Sequence, residues 1–250
     1  MRCFHCRRVC YGDSVPKICV PLTPTSSEEL ADQLLGLSAA YHDMVEWRLD
    51  FLPEAIDPLT LYPQVRNGIG NVPLLITFRS QREGGQREIS AQRYAALYQR
   101  FLAENAADLL DLEWTCEPSV RQEIQENAQA QNIPVILSYH NFEKTPDDET
   151  LWRLMSDMAS RRPHFVKIAC MPRSPQDVIR LLALSEEASR IHTDCLWITM
   201  SMGDLGKISR VSGCVTGSEI TFGTAGAASA PGQMDANLLK QTLDLLKTTM

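Results

Sequence analysis

The chain has 250 residues, 44% of them hydrophobic and 22% charged, a composition typical of a globular protein. Its 24 Lys and Arg against 31 Asp and Glu give a formal net charge of −7, which excludes nucleic-acid binding through an overall basic face. No apolar run approaches the roughly 18 residues that span a bilayer, and the terminus MRCFHCRRVC lacks the apolar stretch of a secretory signal. We therefore expect a protein that binds neither nucleic acid nor a membrane.

The amino-terminal segment is rich in cysteine. Cys3, Cys6 and Cys10 form a CxxC motif followed by a third cysteine, with His5 among them. A zinc site normally takes two such pairs, and no second pair occurs, so we favour a Cys-rich terminal strand over a metal site. The other cysteines lie mostly in or beside apolar segments. We interpret them as buried free thiols of a cytoplasmic protein rather than as disulfides.

Eight short apolar runs follow at an even pace along the chain. Each has the length of a strand and is rich in Val, Ile, Leu, Thr or aromatic residues, which predicts strands buried on both faces. The predicted strands are 17–22 (KICVPL), 44–50 (MVEWRLD), 73–79 (PLLITFR), 109–114 (LLDLEW), 134–140 (PVILSYH), 165–170 (FVKIAC), 196–201 (LWITMS) and 219–224 (EITFGT).

Most segments between these runs have helical spacing and begin with residues that favour a helix start. Ser, Asp or Pro precedes or opens each apolar series, as expected for N-caps and first turns. The predicted start signals are Ser26, Ser90, Pro118 in a helix over 117–131, Pro175 in a helix over 174–192, and Asp235 before the last helix.

Eight strands alternating with about eight helices, repeating roughly every 30 residues, are typical of a closed (β/α)8 TIM barrel of the α/β class. An open doubly wound sheet is the alternative. Such a sheet usually has a Gly-rich phosphate loop after its first strand, whereas KICVPLTPTSSEE contains no glycine. No linker or charge block divides the chain. We therefore expect a single domain over 1–250, with 1–16 as an extended segment that covers one end of the barrel.

Ionisable side chains interrupt the predicted strands, although a parallel barrel strand should be almost continuously apolar. Burying each of them costs several kcal/mol unless it is paired. One interpretation is a salt-bridge network that fills the barrel, which suits Asp50, Asp111 and Glu113. The interrupting residues are Glu46, Arg48 and Asp50 on one face of the second strand, Arg79 at the end of the third, Asp111 and Glu113 in the fourth, His140 at the end of the fifth, and Lys167 in the sixth.

Arg79, His140 and Lys167 come from the ends of neighbouring strands, where barrels of this kind build active sites. The sequence shows no P-loop, nucleotide fingerprint, GxSxG elbow or convincing metal-ligand spacing. A buried lysine near other cations loses part of its preference for the ammonium form and attacks carbonyls, and histidine transfers protons near neutral pH. The pair predicts Schiff-base chemistry without a cofactor. Arg48, Arg79 and Arg210 favour a small anionic, oxygen-rich substrate.

Several motifs, in the same order, resemble those of the type I 3-dehydroquinate dehydratases. The resemblance implies a (β/α)8 barrel, usually dimeric, that converts 3-dehydroquinate to 3-dehydroshikimate and water without metal or coenzyme. This is the third step of the shikimate route to chorismate and the aromatic amino acids. The motifs are EWRLDFL at 46–52, TFRSQREGG at 77–85, SYHNFEKTP at 138–146, VKIACMP at 166–172, ISRVSGCVTGSEITFG at 208–223 and SAPGQ at 229–233.

The resemblance also implies a role for each matching residue. Lys167 matches the Schiff-base lysine and His140 the general acid/base. The remaining matches are Glu46, Arg48 and Arg79 for the substrate's hydroxyls and ring, Arg210 for its carboxylate, Ser229 and Gln233 for the polar tips of a closing loop over 223–234, and Glu83 for an acidic residue that orients the histidine.

The chain departs from the family in its Cys-rich terminus and at the end of the first strand, where the family often has a serine that contacts substrate. Pro21 stands there and offers no hydroxyl, so the contact is lost or is taken by Thr23. Two rival interpretations remain. One is a Schiff-base aldolase on the same barrel, which would usually carry a Gly-rich phosphate loop near strands seven and eight. The other is a non-catalytic sensor of quinate-like acids.

Overall fold

The apolar runs form one parallel sheet that curls into a barrel, in a computed structural model that describes residues 3–13, 15–226 and 228–246. The strands lie side by side in chain order, and the last barrel strand returns to pair with the first. The strands are β1 (Phe4–Cys6), β2 (Val9–Tyr11), β3 (Lys17–Leu22), β4 (Met44–Arg48), β5 (Leu74–Thr77), β6 (Leu109–Glu113), β7 (Val135–Asn141), β8 (Phe165–Cys170), β9 (Leu196–Ser201), β10 (Ile220–Thr224) and β11 (Met234–Asp235).

The barrel closes between β9 and β10. A parallel bridge joins Trp197 to Ser218 just before β10, and the backbone N–H of Glu219 donates to the carbonyl of Trp197 over 2.7 Å. The short strand β11 adds to the other edge of β10. These contacts confirm the predicted (β/α)8 TIM barrel, built from β3 to β10.

Helices connect the strands and cover the outside of the barrel. Their N-caps agree with the predicted start signals: Ser26 Oγ accepts from the N–H of Glu29, and Ser90 Oγ accepts from that of Arg93. The helices are α1 (Ser27–Ser38), α2 (Pro58–Ile69), α3 (Ala91–Ala103), α4 (Pro118–Ala130), α5 (Asp148–Ser160), α6 (Pro175–Ile191), α7 (Gly213–Thr216) and α8 (Ala236–Leu246), and Asp235 Oδ1 accepts from the first turn of α8.

The second and third strands end earlier than the sequence predicts. β4 stops at Arg48, and Asp50 lies in a 3-10 turn (Leu49–Phe51) instead of on the strand face. The Asp50 carboxylate accepts from the backbone N–H groups of Arg79 and Gln86, in the segment that follows β5. This contact joins the segments that follow β4 and β5. It places Arg79 two residues beyond the end of β5.

The segment that precedes the barrel covers its amino-terminal end, as predicted. β1 and β2 pair as an antiparallel hairpin. The ring of Tyr11, which is fully buried, packs edge-on against Phe165 at 5.4 Å and stacks on Phe4 at 5.2 Å. The hairpin and the first inward residues of the strands form one apolar cluster, which includes Cys19, Met44, Leu75, Leu109 and Ile136. One end of the barrel is therefore sealed by hydrophobic side chains.

None of the helices in the described ranges is long and apolar enough to cross a membrane.

Candidate active site

A small cavity of about 40 Å³ lies at the carboxyl-terminal end of the barrel, opposite the hairpin. Parallel strands direct their last inward side chains to this end. The structure brings together here every site residue that the sequence singled out: Glu46, Arg48, Arg79, Glu83, His140, Lys167, Arg210, Ser229 and Gln233 all line the cavity.

Lys167 lies on β8 with 4% of its surface exposed. Its Nζ is 3.3 Å from Asp111 Oδ2 and 3.8 Å from Glu46 Oε1, and it lies 4.3 Å from the centroid of the Phe222 ring. The sequence predicts cations around this lysine, but its direct ionic contacts are with carboxylates. The amine is held at the cavity wall by two acidic side chains and one aromatic face.

Arg79 lies at the centre of a buried ionic network. Its Nη2 donates to Asp111 Oδ1 at 2.8 Å and its Nη1 to Glu113 Oε1 at 3.1 Å. Ser138 Oγ donates to Asp111 Oδ1 at 2.6 Å. Burial raises the pKa of Asp111, but Arg79 and Lys167 outweigh burial and leave the pKa below its ordinary value. The salt-bridge network therefore includes two residues of the cavity wall, Arg79 and Lys167.

His140, near the end of β7, is held by Glu83. The backbone N–H of His140 donates to Glu83 Oε2 at 3.1 Å, and its Nδ1 lies 2.9 Å from the same oxygen. When Glu83 is ionised its carboxylate can only accept, so Nδ1 then carries the proton and Nε2 is the basic nitrogen. Burial, with Arg79, Lys167 and Arg48 adding to it, lowers the pKa of His140 well below its ordinary value. The imidazole is thus neutral near pH 7 and able to accept a proton.

Glu83 lies in a 3-10 turn (Gln81–Glu83) that ends in two glycines. Burial raises the pKa of Glu83 to about 7, against the opposing charge of Arg79. Gly84 has a φ of +82°, and a Cβ on Gly85 would lie 1.9 Å from the carbonyl oxygen of Arg79. This tight turn, which needs glycine at both positions, aims the Glu83 carboxylate at His140.

Arg210 supplies a buried guanidinium beside the cavity, with 2% of its surface exposed. Its Nη2 donates to the carbonyl of Pro231 at 2.9 Å and its Nη1 to that of Phe222 at 3.3 Å. Within the described residues no carboxylate lies within ion-pair distance of it, and its Nε has no hydrogen-bond partner. Burial lowers the pKa of Arg210 to about 10. A buried cation whose contacts are neutral favours an anionic ligand group.

Three residues of the segment 228–233, Ser229, Ala230 and Gln233, line the cavity. Ser229 N donates to Gln233 Oε1 at 2.7 Å, and Gln233 Nε2 donates back to Ser229 Oγ at 3.0 Å. The carbonyl of Pro231 also accepts from Gly203 N at 3.3 Å. A benzene ring occupies an engineered cavity of about 150 Å³, whereas only about 40 Å³ is left in this cavity. A six-membered ring acid therefore needs the residues around the cavity to move apart before it can bind.

The apolar part of the cavity wall was not predicted from the sequence. Met200, Met202, Phe142 and Phe222 line it. The signal was available for Met200, because it lies two residues after the buried Ile198 on a strand and therefore shares its face. The same signal was available for Phe222, two residues after the buried Ile220 on β10, whereas Phe142 and Met202 lie on loops, where alternation gives no reliable side.

The amino-terminal cysteines do not converge on one point. Cys3 Sγ donates to the carbonyl of Gly12, Cys6 Sγ to that of Asp108, and Cys10 Sγ to that of Tyr11. In the described ranges no three His, Cys, Asp or Glu side chains are grouped so that they could hold a metal ion.

Pro21, the departure from the family pattern, lies on β3 directly beside Glu46 of β4 in the sheet register. It is half-buried and is not among the residues that line the cavity.

The chain matches the model of the type I 3-dehydroquinase family over residues 18–250. It is similar to the 3-dehydroquinate dehydratase of Clostridium kluyveri, with 40% identity over 244 residues and 96% of both chains covered. The enzyme of the same name from Enterococcus faecalis is 37% identical over 240 residues, with 95% of both chains covered.

Solved structures show the same similarity. The type I 3-dehydroquinate dehydratase of Clostridium difficile, determined with covalently modified comenic acid, has a TM-score of 0.93 and 35% identity, with 98% of both chains covered. The 3-dehydroquinate dehydratase of Geobacillus kaustophilus has a TM-score of 0.94 and 31% identity, covering 99% of this chain and 97% of that one.

Proposed function

The chain belongs to the type I 3-dehydroquinase family, and on this premise we propose that it dehydrates 3-dehydroquinate to 3-dehydroshikimate through an imine on Lys167. The reaction is that of a carbon–oxygen hydro-lyase and is the third step of the shikimate route to the aromatic amino acids. The observation that carries the proposal is the placement of Lys167, His140 and Arg210 around one covered cavity.

The first step is binding of the ring acid with its carboxylate on Arg210 and Gln233. Arg210 is charged and makes its hydrogen bonds to carbonyl oxygens, so a carboxylate can replace the Pro231 carbonyl with a gain in charge pairing. The hydroxyls and ring then face Glu46, Arg48 and Arg79. Arg48 is fixed for this task by a bidentate pair with Asp50, at 2.8 Å for both hydrogen bonds.

The second step is formation of the imine. The uncharged Lys167 amine attacks the C3 ketone, and the resulting carbinolamine loses water with His140 assisting the proton transfers. The contacts with Asp111 and Glu46 hold the Lys167 amine in place for this attack.

The third step is elimination. The protonated imine withdraws electrons from C2, so that Nε2 of His140 can remove a C2 proton and leave an enamine. The enamine then expels the C1 hydroxyl, which takes a proton from His140 and leaves as water. Hydrolysis of the imine frees the product and restores the amine.

Reduction with borohydride in the presence of 3-dehydroshikimate tests this function. The imine should be reduced to a stable secondary amine, and mass spectrometry should find the added mass on the peptide that contains Lys167. Lys144, which is exposed on the loop after β7, provides the control: Lys144→Ala should still form the adduct. An adduct on any other lysine, or none, contradicts the imine mechanism.

An absorbance assay for the conjugated enone of 3-dehydroshikimate separates this function from the two rivals. Wild-type protein with 3-dehydroquinate should produce the enone continuously. A sensor would bind the acid without producing it, and an aldolase would cleave a carbon–carbon bond instead.

We also propose that the chain acts as a homodimer in the cytoplasm, as the family resemblance implies. Exposed apolar side chains such as Val215 on α7 and Leu245 on α8 support a partner surface. All eight cysteines are free thiols, the state that a reducing compartment maintains. Light scattering should give twice the 28.0 kDa of one chain, and a mass of one chain would contradict the dimer.

A further inference from the structure

The two oxygens of the Glu83 carboxylate have different partners. Oε2 faces His140, whose backbone N–H and Nδ1 both lie near it at 3.1 and 2.9 Å. Oε1 accepts a hydrogen bond from Thr115 Oγ1 at 2.6 Å. Thr115 follows the end of β6 and is half-buried, and it is not among the residues that line the cavity of the candidate active site. Thr115 therefore contacts Glu83 without lining the active-site cavity.

The Thr115 hydrogen bond favours the ionised form of Glu83, because a hydroxyl donates to a carboxylate more strongly than to a neutral acid. Arg79 acts in the same direction, but its Nη1 is 3.4 Å away and also donates to Glu113 and Ser138. Burial and the charges of Glu113 and Asp111 act in the opposite direction. Glu83 is thus balanced between its two protonation states near neutral pH.

Other charged groups surround the Glu83–His140 pair, and a substitution of Thr115 leaves the identity of each unchanged. The titratable and charged groups facing the pair are Arg79 from the segment after β5, Asp111 and Glu113 from β6, Lys167 from β8, and Glu46 and Arg48 from β4.

Thr115 also separates Glu83 from a second cavity. A space of about 290 Å³ lies outside the barrel wall, lined by Thr115, Glu113, Tyr94 and Cys116. Glu83 lines the active-site cavity and not this one. The Thr115 hydroxyl therefore donates to Glu83 from a residue that lines the second cavity and not the first.

We propose that Thr115 is a positioning residue for the dehydration: its hydroxyl keeps Glu83 ionised and aimed at His140, so that Nε2 of His140 stays free to move the C2 proton. The proposal rests on the function given above for His140. When Glu83 is protonated, it no longer requires a proton on Nδ1, and the imidazole loses the tautomer that the reaction needs.

The test is the pH profile of kcat for Thr115→Val, which keeps the shape and removes the donor. Loss of a hydrogen bond to a charged group should raise the pKa of Glu83 and move the acidic limb of kcat upward by about one pH unit. Activity at pH 7 should fall severalfold, and the plateau at high pH should equal that of wild type. KM should not change, because Thr115 does not line the active-site cavity. Thr115→Ser should restore the wild-type limb.

Thr60, which is exposed on α2, provides the matched control, and Thr60→Val should leave the profile unchanged. The 15N shifts of the His140 ring give a second readout. In both proteins the proton should leave Nδ1 as the pH falls, and the midpoint of this change should be about one pH unit higher in Thr115→Val than in wild type.

An unchanged acidic limb in Thr115→Val, or a uniform fall of kcat at every pH that Thr115→Ser does not restore, would overturn the role of Thr115. If Thr115→Val does not fold, the acidic limbs of kcat are compared between Thr115→Ala and Thr115→Ser instead. An acidic limb at higher pH in Thr115→Ala supports the role of Thr115, and equal limbs overturn it. Failure of the proposed function is distinct, because wild-type protein would then produce no enone at any pH.

Discussion

The two ends of the barrel interior are built by the same strands but have opposite chemistry. On β6, Leu109 faces the apolar end, and Asp111 and Glu113 follow at intervals of two towards the other end. On β8, Phe165 precedes Lys167 in the same way. Alternate residues of a strand share a face. On β6 and β8 the inward side chains therefore change from apolar to charged within two residues. The fold therefore concentrates hydrophobic packing at one end and chemistry at the other.

The two ends also differ in what holds them together. The apolar end packs Tyr11 and Phe4 edge-on against Phe165, and burial of such rings stabilises the fold directly. The charged end buries ions that would each cost several kcal/mol alone. Their costs are offset because Arg79 contacts three carboxylates at once and Lys167 contacts two. Substitutions at the two ends should therefore have different consequences.

The largest effect is expected for Lys167→Ala at the charged end. Without the amine no imine forms, so turnover of 3-dehydroquinate should fall below detection while the circular dichroism spectrum stays that of the wild type. Lys144→Ala is the matched control and should turn over normally. An active Lys167→Ala protein would show that the lysine is a structural counter-ion of Asp111 and Glu46.

His140→Ala should come next. General acid–base groups contribute about 10²–10⁴-fold, and we expect a fall in kcat of that size with the imine still forming. Borohydride trapping with product should therefore still label Lys167, which measures the two steps separately. His42→Ala, a half-buried histidine that lines no part of the active-site cavity, should behave as wild type. A protein that no longer binds the acid would instead indicate a structural histidine.

Arg79→Met should lower stability as well as activity. It leaves Asp111, Glu113 and Glu83 buried without their shared cation, which costs about 3–5 kcal/mol of unfolding free energy. Because Arg79 and Lys167 lower the pKa of Asp111 despite its burial, that stabilisation is present above about pH 4 and is lost as pH falls through the folded pKa.

Urea unfolding of Arg79→Met and wild type across pH 3–7 measures this difference. The gap in unfolding free energy should be widest near neutral pH and narrow in acid. Arg93→Met removes an exposed pair with Glu54 and should change the unfolding free energy by less than about 1 kcal/mol. A gap that does not depend on pH would mean that lost packing, rather than charge, accounts for the effect.

Tyr11→Ala, at the apolar end, should leave turnover untouched. Removing a fully buried ring costs about 3 kcal/mol or more, so the thermal midpoint should fall while kcat and KM at 25 °C stay those of wild type. Tyr41→Ala, with 39% of its surface exposed in the parent, should cost much less. A change in KM on loss of Tyr11 would contradict the separation of the two ends.

Local signals in the sequence predicted most of the fold. The strands β3, β8 and β9 have the predicted bounds, and Ser26 and Ser90 cap the predicted helices. Each of these features depends on residues that are close together in the sequence. The ends of β4 and β5 depend on distant residues instead, because Asp50 accepts hydrogen bonds from a segment about 30 residues further along the chain.

The members of the site could also be predicted, but their partners could not. Charged residues within apolar strands singled out Glu46, Arg79, His140 and Lys167. That Lys167 contacts carboxylates rather than cations depends on the positions of β4 and β6 around the barrel, which no single strand encodes. The Thr115 contact with Glu83 joins two loops and has no sequence pattern at all.

The hairpin covers the apolar end of the barrel, and Ser229, Ala230 and Gln233 line the cavity at the other end, which forms a small chamber. Imine formation releases the ketone oxygen as water inside this chamber, and the last step consumes a water molecule there. Confinement gives the released molecule a chance to return to the carbon that it left. Substrate labelled with oxygen-18 at the ketone should then yield product with part of the label retained, an isotopic memory that an open site in bulk solvent would erase.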